Sequence, residues 1–123
     1  MSGWRAREVR SFRNAWAGLT EALRTERHMR FHSVAALVVV ALALWLNVDR
    51  RDWLWLLLAI AAVWSAELVN TAIERTVDRI STDVHPLAKT AKDSAAAAVL
   101  VMAIFAAAVG AIVLGPPLWR VLF

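Results

Sequence analysis

A column of polar side chains runs through an otherwise apolar stretch of the chain and carries the groups best suited to chemistry. Glu67, Asn70, Glu74 and Asp78 follow one another at steps of three, four and four residues. At about 100° per residue, these positions share one face of a helix. Carboxylate and amide oxygens suit Mg²⁺ and its bound phosphates, and a carboxylate can also take a proton from a hydroxyl group.

The members of this column are expected to lie at different depths in a membrane. Between Trp53 and Ile73 the only charged residue is Glu67. At about 1.5 Å rise per residue, such a run is long enough to cross a hydrocarbon core of roughly 30 Å. A charge there costs roughly 2.5–3.5 kcal/mol, so we expect Glu67 to face protein or water rather than lipid. An ordinary solvated helix end is the alternative, and it suits the two outer acids better than the two inner residues.

Further polar candidates lie on the same side of the apolar runs. They are Glu26, Asp83, His85, Lys92 and Asp93. The chain has no Cys and no His-rich spacing, which disfavours a zinc site. It also has no GxxxxGK[ST] loop, so any bound ATP must be held by a metal ion and side chains.

The composition points to a membrane. The 123 residues suit one domain, and 60% of them are hydrophobic, above the ~45–50% of soluble proteins. The net charge is +4, but the arginines flank apolar runs. Anionic lipid headgroups therefore explain the basic character better than nucleic acid does, and no nucleic-acid partner is expected.

The N-terminal segment has the pattern of an amphipathic surface helix over about residues 7–29. Apolar residues recur at steps of three and four and form one stripe: Val9, Phe12, Trp16, Leu19 and Leu23. Arginines lie off this stripe, as in a helix that rests in the membrane interface. A helix packed on a soluble partner is the alternative.

Three apolar runs predict transmembrane helices over about residues 31–48, 53–80 and 93–115. A brief polar turn at residues 47–52 separates the first two. A polar stretch over residues 75–93 connects the last two, with Pro86 as a breaker and Asp93 or Ser94 as the cap of the third helix. The predicted fold is an all-α membrane protein, one domain over residues 1–123.

The distribution of basic residues predicts the orientation of this multi-pass protein. The first 30 residues contain seven arginines, and the second connection adds four basic residues. The opposite side holds only Arg50, Arg51 and Arg120. The positive-inside rule therefore predicts a cytoplasmic N-terminus, which places the polar candidates on the cytoplasmic side.

Several short motifs resemble a known family. They are ELVNTAIE (67–74), VD (77–78), HPLAK (85–89), AKD (91–93), SFRNAWAGL (11–19) and ERHMRFH (26–32). Together they resemble the prokaryotic integral-membrane diacylglycerol kinases, a family that includes undecaprenol kinases. The resemblance extends from about Arg10 to Ile112, and the HPLAK segment looks closer to the undecaprenol kinase branch.

The resemblance implies a homotrimer in the bacterial cell membrane, with three transmembrane helices and a surface helix per chain and active sites between subunits. It implies transfer of the γ-phosphoryl group of Mg²⁺-bound ATP to a lipid alcohol, either diacylglycerol or undecaprenol. Glu67 would be the general base, Asn70 would support the site, and Glu26 and Glu74 would hold Mg²⁺. The implied nucleotide contacts are Arg7, Asn14, Glu26, Glu74, Asp83, His85, Lys92 and Asp93.

Other interpretations remain open at this level. The chain could be a small transporter or channel subunit that uses Glu67 as an ion or proton site, or a scaffold whose polar groups join helices. Glu26 could only pair with Arg30, and Lys92 could snorkel at a helix start. His85 could be plain loop, and Asp78 could only pair with Arg75 or Lys89. No short motif encodes the choice of lipid.

Overall fold

The computed structural model describes residues 3–123, which form four α-helices and contain no strand. The helices are α1 (Gly3–Thr25), α2 (Arg27–Trp45), α3 (Arg50–Ile80) and α4 (Pro86–Leu122). Helices α2, α3 and α4 are each long and apolar enough to cross a membrane. The predicted all-α class with three such helices is therefore confirmed.

The most extensive contact is between α3 and α4, and α2 makes a smaller contact with α3. The main buried cluster consists of Ala43, Leu56, Ala59, Val109, Val113 and Leu114. Small residues at this contact let the helix backbones approach closely. Most of the remaining apolar side chains are exposed, including Leu37, Leu58 and Leu100. A single chain thus presents a largely apolar outer surface, as a membrane protein does.

The first helix ends earlier than the sequence predicts. Glu26 has an extended backbone (φ −98°, ψ 116°) and separates α1 from α2. Helix α1 therefore ends at Thr25, before the predicted end near residue 29, and the helix that contains the predicted span from residue 31 begins at Arg27. The last carbonyls of α1 still find donors, because Arg30 Nη1 donates to the Arg24 carbonyl at 2.8 Å. No Gly or Pro marks the break, which is why the sequence pattern runs through it.

The turn between α2 and α3 lies where the sequence predicts it, but it is shorter. Asn47 has a positive φ of 53°, and α3 already begins at Arg50. Asp49 caps the helix, since its side chain accepts a hydrogen bond of 2.9 Å from the Asp52 amide.

The connection between α3 and α4 is much shorter than predicted. It spans residues 81–85, because Pro86 begins α4 instead of breaking a helix. Proline is favoured at the first helical position, where its missing N–H is not needed. The cap is His85, whose Nδ1 accepts a hydrogen bond of 3.1 Å from the Leu87 amide. The helix that contains the predicted span from residue 93 therefore begins seven residues earlier, and the predicted cap at Asp93 or Ser94 is wrong.

The last helix also ends later than predicted. It continues through Pro116 and Pro117 to Leu122, beyond the predicted end at residue 115.

At the side where the polar candidates lie, the end of α3 and the start of α4 both extend beyond the apolar segments of these helices. These extensions hold the outer acids and the lysines on rigid helices rather than on a loop.

Candidate functional site

Glu67 lies inside the helix bundle. Its exposed fraction is 3%, although it sits in the middle of α3 among apolar residues. As expected, it faces protein rather than lipid. His32 of α2 lies opposite, with its Nε2 3.2 Å from Glu67 Oε1. The pair is within ion-pair distance without the alignment of a hydrogen bond, and Oε1 accepts none from residues 3–123.

The next two members of the column contact each other one turn further along α3. Asn70 Nδ2 donates a hydrogen bond of 3.2 Å to Glu74 Oε1. Asn70 is buried and Glu74 is half-buried, whereas Asp78 is exposed. The column therefore shares one helix face, as the spacing predicts, and it runs from the buried interior to the surface. Asn70 Oδ1 is buried and has no partner in the described part of the chain.

The break between α1 and α2 brings Glu26 against α3. Arg75 Nη2 donates to Glu26 Oε1 at 3.1 Å and to Thr25 Oγ1 at 2.8 Å. Glu26 therefore pairs across helices with Arg75 rather than with Arg30 on its own helix. Because Arg75 directly follows Glu74, this pairing ties Glu26 to the part of α3 that carries the other predicted metal ligand.

The donor set at this level fits Mg²⁺ bound together with a nucleotide. Within residues 3–123, no three acidic, His or Cys side chains converge to form a metal cage of their own. Mg²⁺ usually takes only one or two carboxylates and completes its shell with phosphate oxygens and water. Glu26 and Glu74 each use one oxygen in a side-chain contact, so each has a second oxygen to offer.

An open polar groove of about 320 Å³ lies between the end of α3 and the start of α4. Four of its lining residues are Asp78, Asp83, His85 and Lys92. Lys92 Nζ pairs with Asp78 Oδ1 across the groove. This groove joins three predicted nucleotide contacts with the outer end of the acidic column.

Three side chains in or near this groove have structural partners. Lys89 Nζ lies 2.5 Å from Asp93 Oδ2 in an exposed pair on α4. Lys89 lines the groove, whereas Asp93 does not. His85 uses Nδ1 to cap α4, which leaves its Nε2 for other contacts. Asp78 pairs with Lys92 rather than with Arg75 or Lys89.

The two remaining predicted nucleotide contacts do not join the others within one chain. Arg7 and Asn14 are exposed on α1. Asn14 precedes Glu26 by twelve residues, which is about 18 Å of helix, and Arg7 lies further still. Helix α1 makes few contacts with α3. A site that contains these two residues would therefore have to be completed by another chain.

The structure adds two side chains that the sequence reasoning did not select, His32 and Trp64. Both line an apolar cleft of about 90 Å³ among α2, α3 and α4, close to Glu67. Trp64 Nε1 is buried and donates no hydrogen bond to any described residue. The sequence does contain a sign of His32, because an ionisable side chain stands there at the start of an apolar run. It contains none of Trp64, which has the pattern of an ordinary apolar position.

The apolar stripe of α1 remains uncovered in the single chain. Phe12 and Trp16 are 74% and 60% exposed. They line an open apolar cleft between α1 and α3 whose full lining is Phe12, Ala15, Trp16, Leu19, Ala61, Trp64, Ser65 and Leu68. This arrangement leaves room for lipid or for a neighbouring chain along the stripe.

Comparison with known proteins identifies similar chains. The profile of the prokaryotic diacylglycerol kinases matches residues 13–114. An undecaprenol kinase of Bacillus subtilis (strain 168) is 42% identical over 112 residues, which are 91% of this chain and 91% of the relative. A diacylglycerol kinase of Escherichia coli (strain K12) is 40% identical over 92 residues, 75% of each chain. A diacylglycerol kinase of Synechocystis is 43% identical over 109 residues, 88% of this chain but only 62% of the relative.

Proposed function

Because this chain belongs to the prokaryotic diacylglycerol kinase family, we propose that it transfers the γ-phosphoryl group of ATP to the hydroxyl group of a membrane lipid. The chain is thus a lipid kinase, and the burial of Glu67 in a membrane-length helix carries the assignment of its reacting centre. A lipid hydroxyl can reach this depth from the bilayer, whereas water and nucleotide reach the outer end of the same helix.

Glu67 acts as the general base in this proposal. Its carboxylate takes the proton of the lipid hydroxyl as the oxygen attacks the γ-phosphorus of ATP. The new bond forms between that oxygen and the γ-phosphorus, the bond to the β-phosphate oxygen breaks, and ADP leaves. Glu74 follows Glu67 by seven positions, about 10 Å along the helix axis, and in this proposal the γ-phosphate lies between the two carboxylates.

Glu26 and Glu74 hold Mg²⁺ together with the phosphates, and Asn70 keeps Glu74 in place through its hydrogen bond. When bound, the ion neutralises negative charge on the phosphate oxygens during transfer. Arg75 fixes Glu26 from the same helix that carries Glu74. The metal site thus depends on the helix break at Glu26, which turns this side chain toward α3.

The nucleotide occupies the polar groove between α3 and α4, where Asp83, His85 and Lys92 contact it and Asp93 supports the start of α4. Lys92 is held by Asp78 until phosphate oxygens replace that partner. The N-terminus and this groove face the cytoplasm, in keeping with the seven N-terminal arginines. ATP is therefore supplied from the cytoplasmic side.

Replacing Lys92 by glutamine should raise the KM for ATP about tenfold to hundredfold, since a charge-assisted hydrogen bond of about 1.5–3 kcal/mol is lost. Arg79→Gln is the matched control, because Arg79 is an exposed cation near the same end of α3 outside the groove. Initial rates at varied ATP concentration measure the effect. An equal, small change in both variants would identify Lys92 as a snorkelling side chain.

The active unit is a homotrimer with sites shared between subunits. Arg7 and Asn14 lie too far along α1 to reach the nucleotide groove of their own chain. The apolar stripe of α1 is uncovered in the single chain and lies beside residues 61–68 of α3, so it offers a surface that a neighbouring chain can cover.

Mixing two impaired variants should restore activity if the sites are shared. Asn14→Ala and Glu67→Gln disable different parts of the site, so in random trimers about a quarter of the sites receive neither change. Co-reconstitution of the two proteins, against each alone, measures the recovery. An Asn14→Ala, Glu67→Gln double variant mixed with inactive Glu67→Gln is the control. No recovery at any mixing ratio would contradict shared sites.

The acceptor lipid is diacylglycerol or undecaprenol. The undecaprenol kinase of Bacillus subtilis is matched over 91% of both chains, so undecaprenol is the first acceptor to test. Purified protein in liposomes with [γ-³²P]ATP and either alcohol tests the proposal, and labelled lipid phosphate is expected. Ion flux without ATP consumption or labelled lipid would instead support the transporter alternative.

A further inference from the structure

His32 and Glu67 form the most deeply placed pair of ionisable groups in the described part of the chain. The side chain of His32 is 20% exposed and that of Glu67 is 3% exposed. The other ion pairs within residues 3–123 lie near helix ends and have at least one partner with 50% exposure or more. Among the ion pairs of the described residues, only His32–Glu67 joins two membrane-length helices inside their apolar segments.

Such a pair has a chemical consequence for the carboxylate. An acid in an apolar layer without a partner is costly and free to rotate away from its substrate. His32 Nε2 lies 3.2 Å from Oε1, so the imidazole occupies one oxygen of the carboxylate. Neither carboxylate oxygen accepts a hydrogen bond from a residue that the structure describes, and of the two only Oε1 lies within ion-pair distance of the imidazole. The imidazole thereby leaves one defined oxygen for the lipid hydroxyl.

We propose that His32 is the positioning residue of the Glu67 base. The imidazole holds Oε1 and keeps Oε2 directed at the alcohol, while its N–H offsets the negative charge of the carboxylate in the apolar layer. This inference rests on the proposed lipid kinase function and adds a second residue to its acceptor side. His32 also lines the apolar cleft near Glu67, so it borders the space through which an acceptor could approach.

The position of the contacting atom makes the proposal specific. Because Nε2 faces the carboxylate, a glutamine at position 32 can place its amide nitrogen near the same point. An asparagine is too short to do so, since its amide nitrogen corresponds to Nδ1 of histidine. Phenylalanine keeps the ring but removes both nitrogens. The series His32→Gln, His32→Asn and His32→Phe therefore separates the effect of the contacting nitrogen from that of the ring volume.

The test measures kcat and the KM values for ATP and for the lipid alcohol with full-length protein in liposomes. His32→Phe should lower kcat about tenfold to hundredfold, because small misplacements of a reacting group cost rates of this order. The KM for ATP should not change. His32→Gln should recover most of the kcat and His32→Asn little of it. His28→Gln is the control, since His28 is exposed on the same helix.

A kcat for His32→Phe equal to that of the unchanged protein would overturn the proposal. Equal losses in His32→Gln and His32→Asn, with matching losses of thermal stability, would also overturn it and show a purely structural contact. Failure of the proposed function looks different, since the unchanged protein would then phosphorylate no lipid alcohol. If Glu67→Gln is inactive while His32→Phe is fully active, only the role of His32 is wrong.

Discussion

Replacing Glu67 by glutamine should reduce lipid phosphorylation by about 10²- to 10⁴-fold, the range that a general base contributes. Glutamine keeps the size of the side chain and can still contact His32, but its amide cannot accept the hydroxyl proton. Burial of a neutral group also avoids the cost of a buried charge, so the helices should remain folded. Labelled lipid phosphate formed from [γ-³²P]ATP in liposomes measures the loss.

Nucleotide binding should persist in this variant, because the proposed nucleotide groove lies beyond Glu74 on the same helix. Glu21→Gln is the matched control, since Glu21 pairs with Arg24 on the outside of α1 and should keep full activity. An active Glu67→Gln protein would remove the base from the mechanism. If the unchanged protein conducts ions and labels no lipid, and Glu67→Gln abolishes that ion flux, the result would favour the transporter interpretation.

The apolar runs and the polar column were predictable from the sequence because both are local properties. Helix period alone places Glu67, Asn70 and Glu74 on one face, and the contact between Asn70 and Glu74 agrees with that prediction. The membrane-length helices follow from uncharged runs, with errors confined to their ends. At those ends the sequence pattern is ambiguous at Pro86, because proline can begin a helix as well as interrupt one.

Contacts between helices were not predictable in the same way. The helix break at Glu26 carries no Gly or Pro signal, and it coincides with a pairing to Arg75, 49 residues away. His32 and Glu67 likewise lie on different helices, and the residue periodicity within one helix cannot predict that they come into contact. Side chains such as these are fixed by packing, so their partners emerge only with the three-dimensional arrangement.

The separation of Arg7 and Asn14 from the other candidates is a finding of a different kind. The motifs join all of these residues in one predicted site, but the geometry of a single chain keeps the two α1 residues apart from the groove. A motif records which residues act together without recording which chain provides them. Shared sites in the proposed trimer would resolve this conflict, and the mixing experiment tests them.

Replacing Glu74 by glutamine should lower activity on the order of 10³-fold at a limiting Mg²⁺ concentration, since metal coordination contributes several kcal/mol to transition-state stabilisation. The glutamine oxygen can still accept the hydrogen bond from Asn70, so the fold should be preserved. Only the negative charge that attracts the ion is removed. Higher Mg²⁺ concentrations should therefore restore part of the activity.

Titration of initial rate against Mg²⁺ concentration, at saturating ATP, measures this shift. Glu26→Gln should shift the curve in the same direction but also release Arg75, whereas Glu21→Gln should leave the curve unchanged. An unshifted curve for Glu74→Gln would make Glu74 an ordinary solvated acid at a helix end. The activity of Glu74→Gln could instead fall in parallel with its thermal stability and not recover at any Mg²⁺ concentration. That result would make the contact between Asn70 and Glu74 structural, as the scaffold interpretation requires.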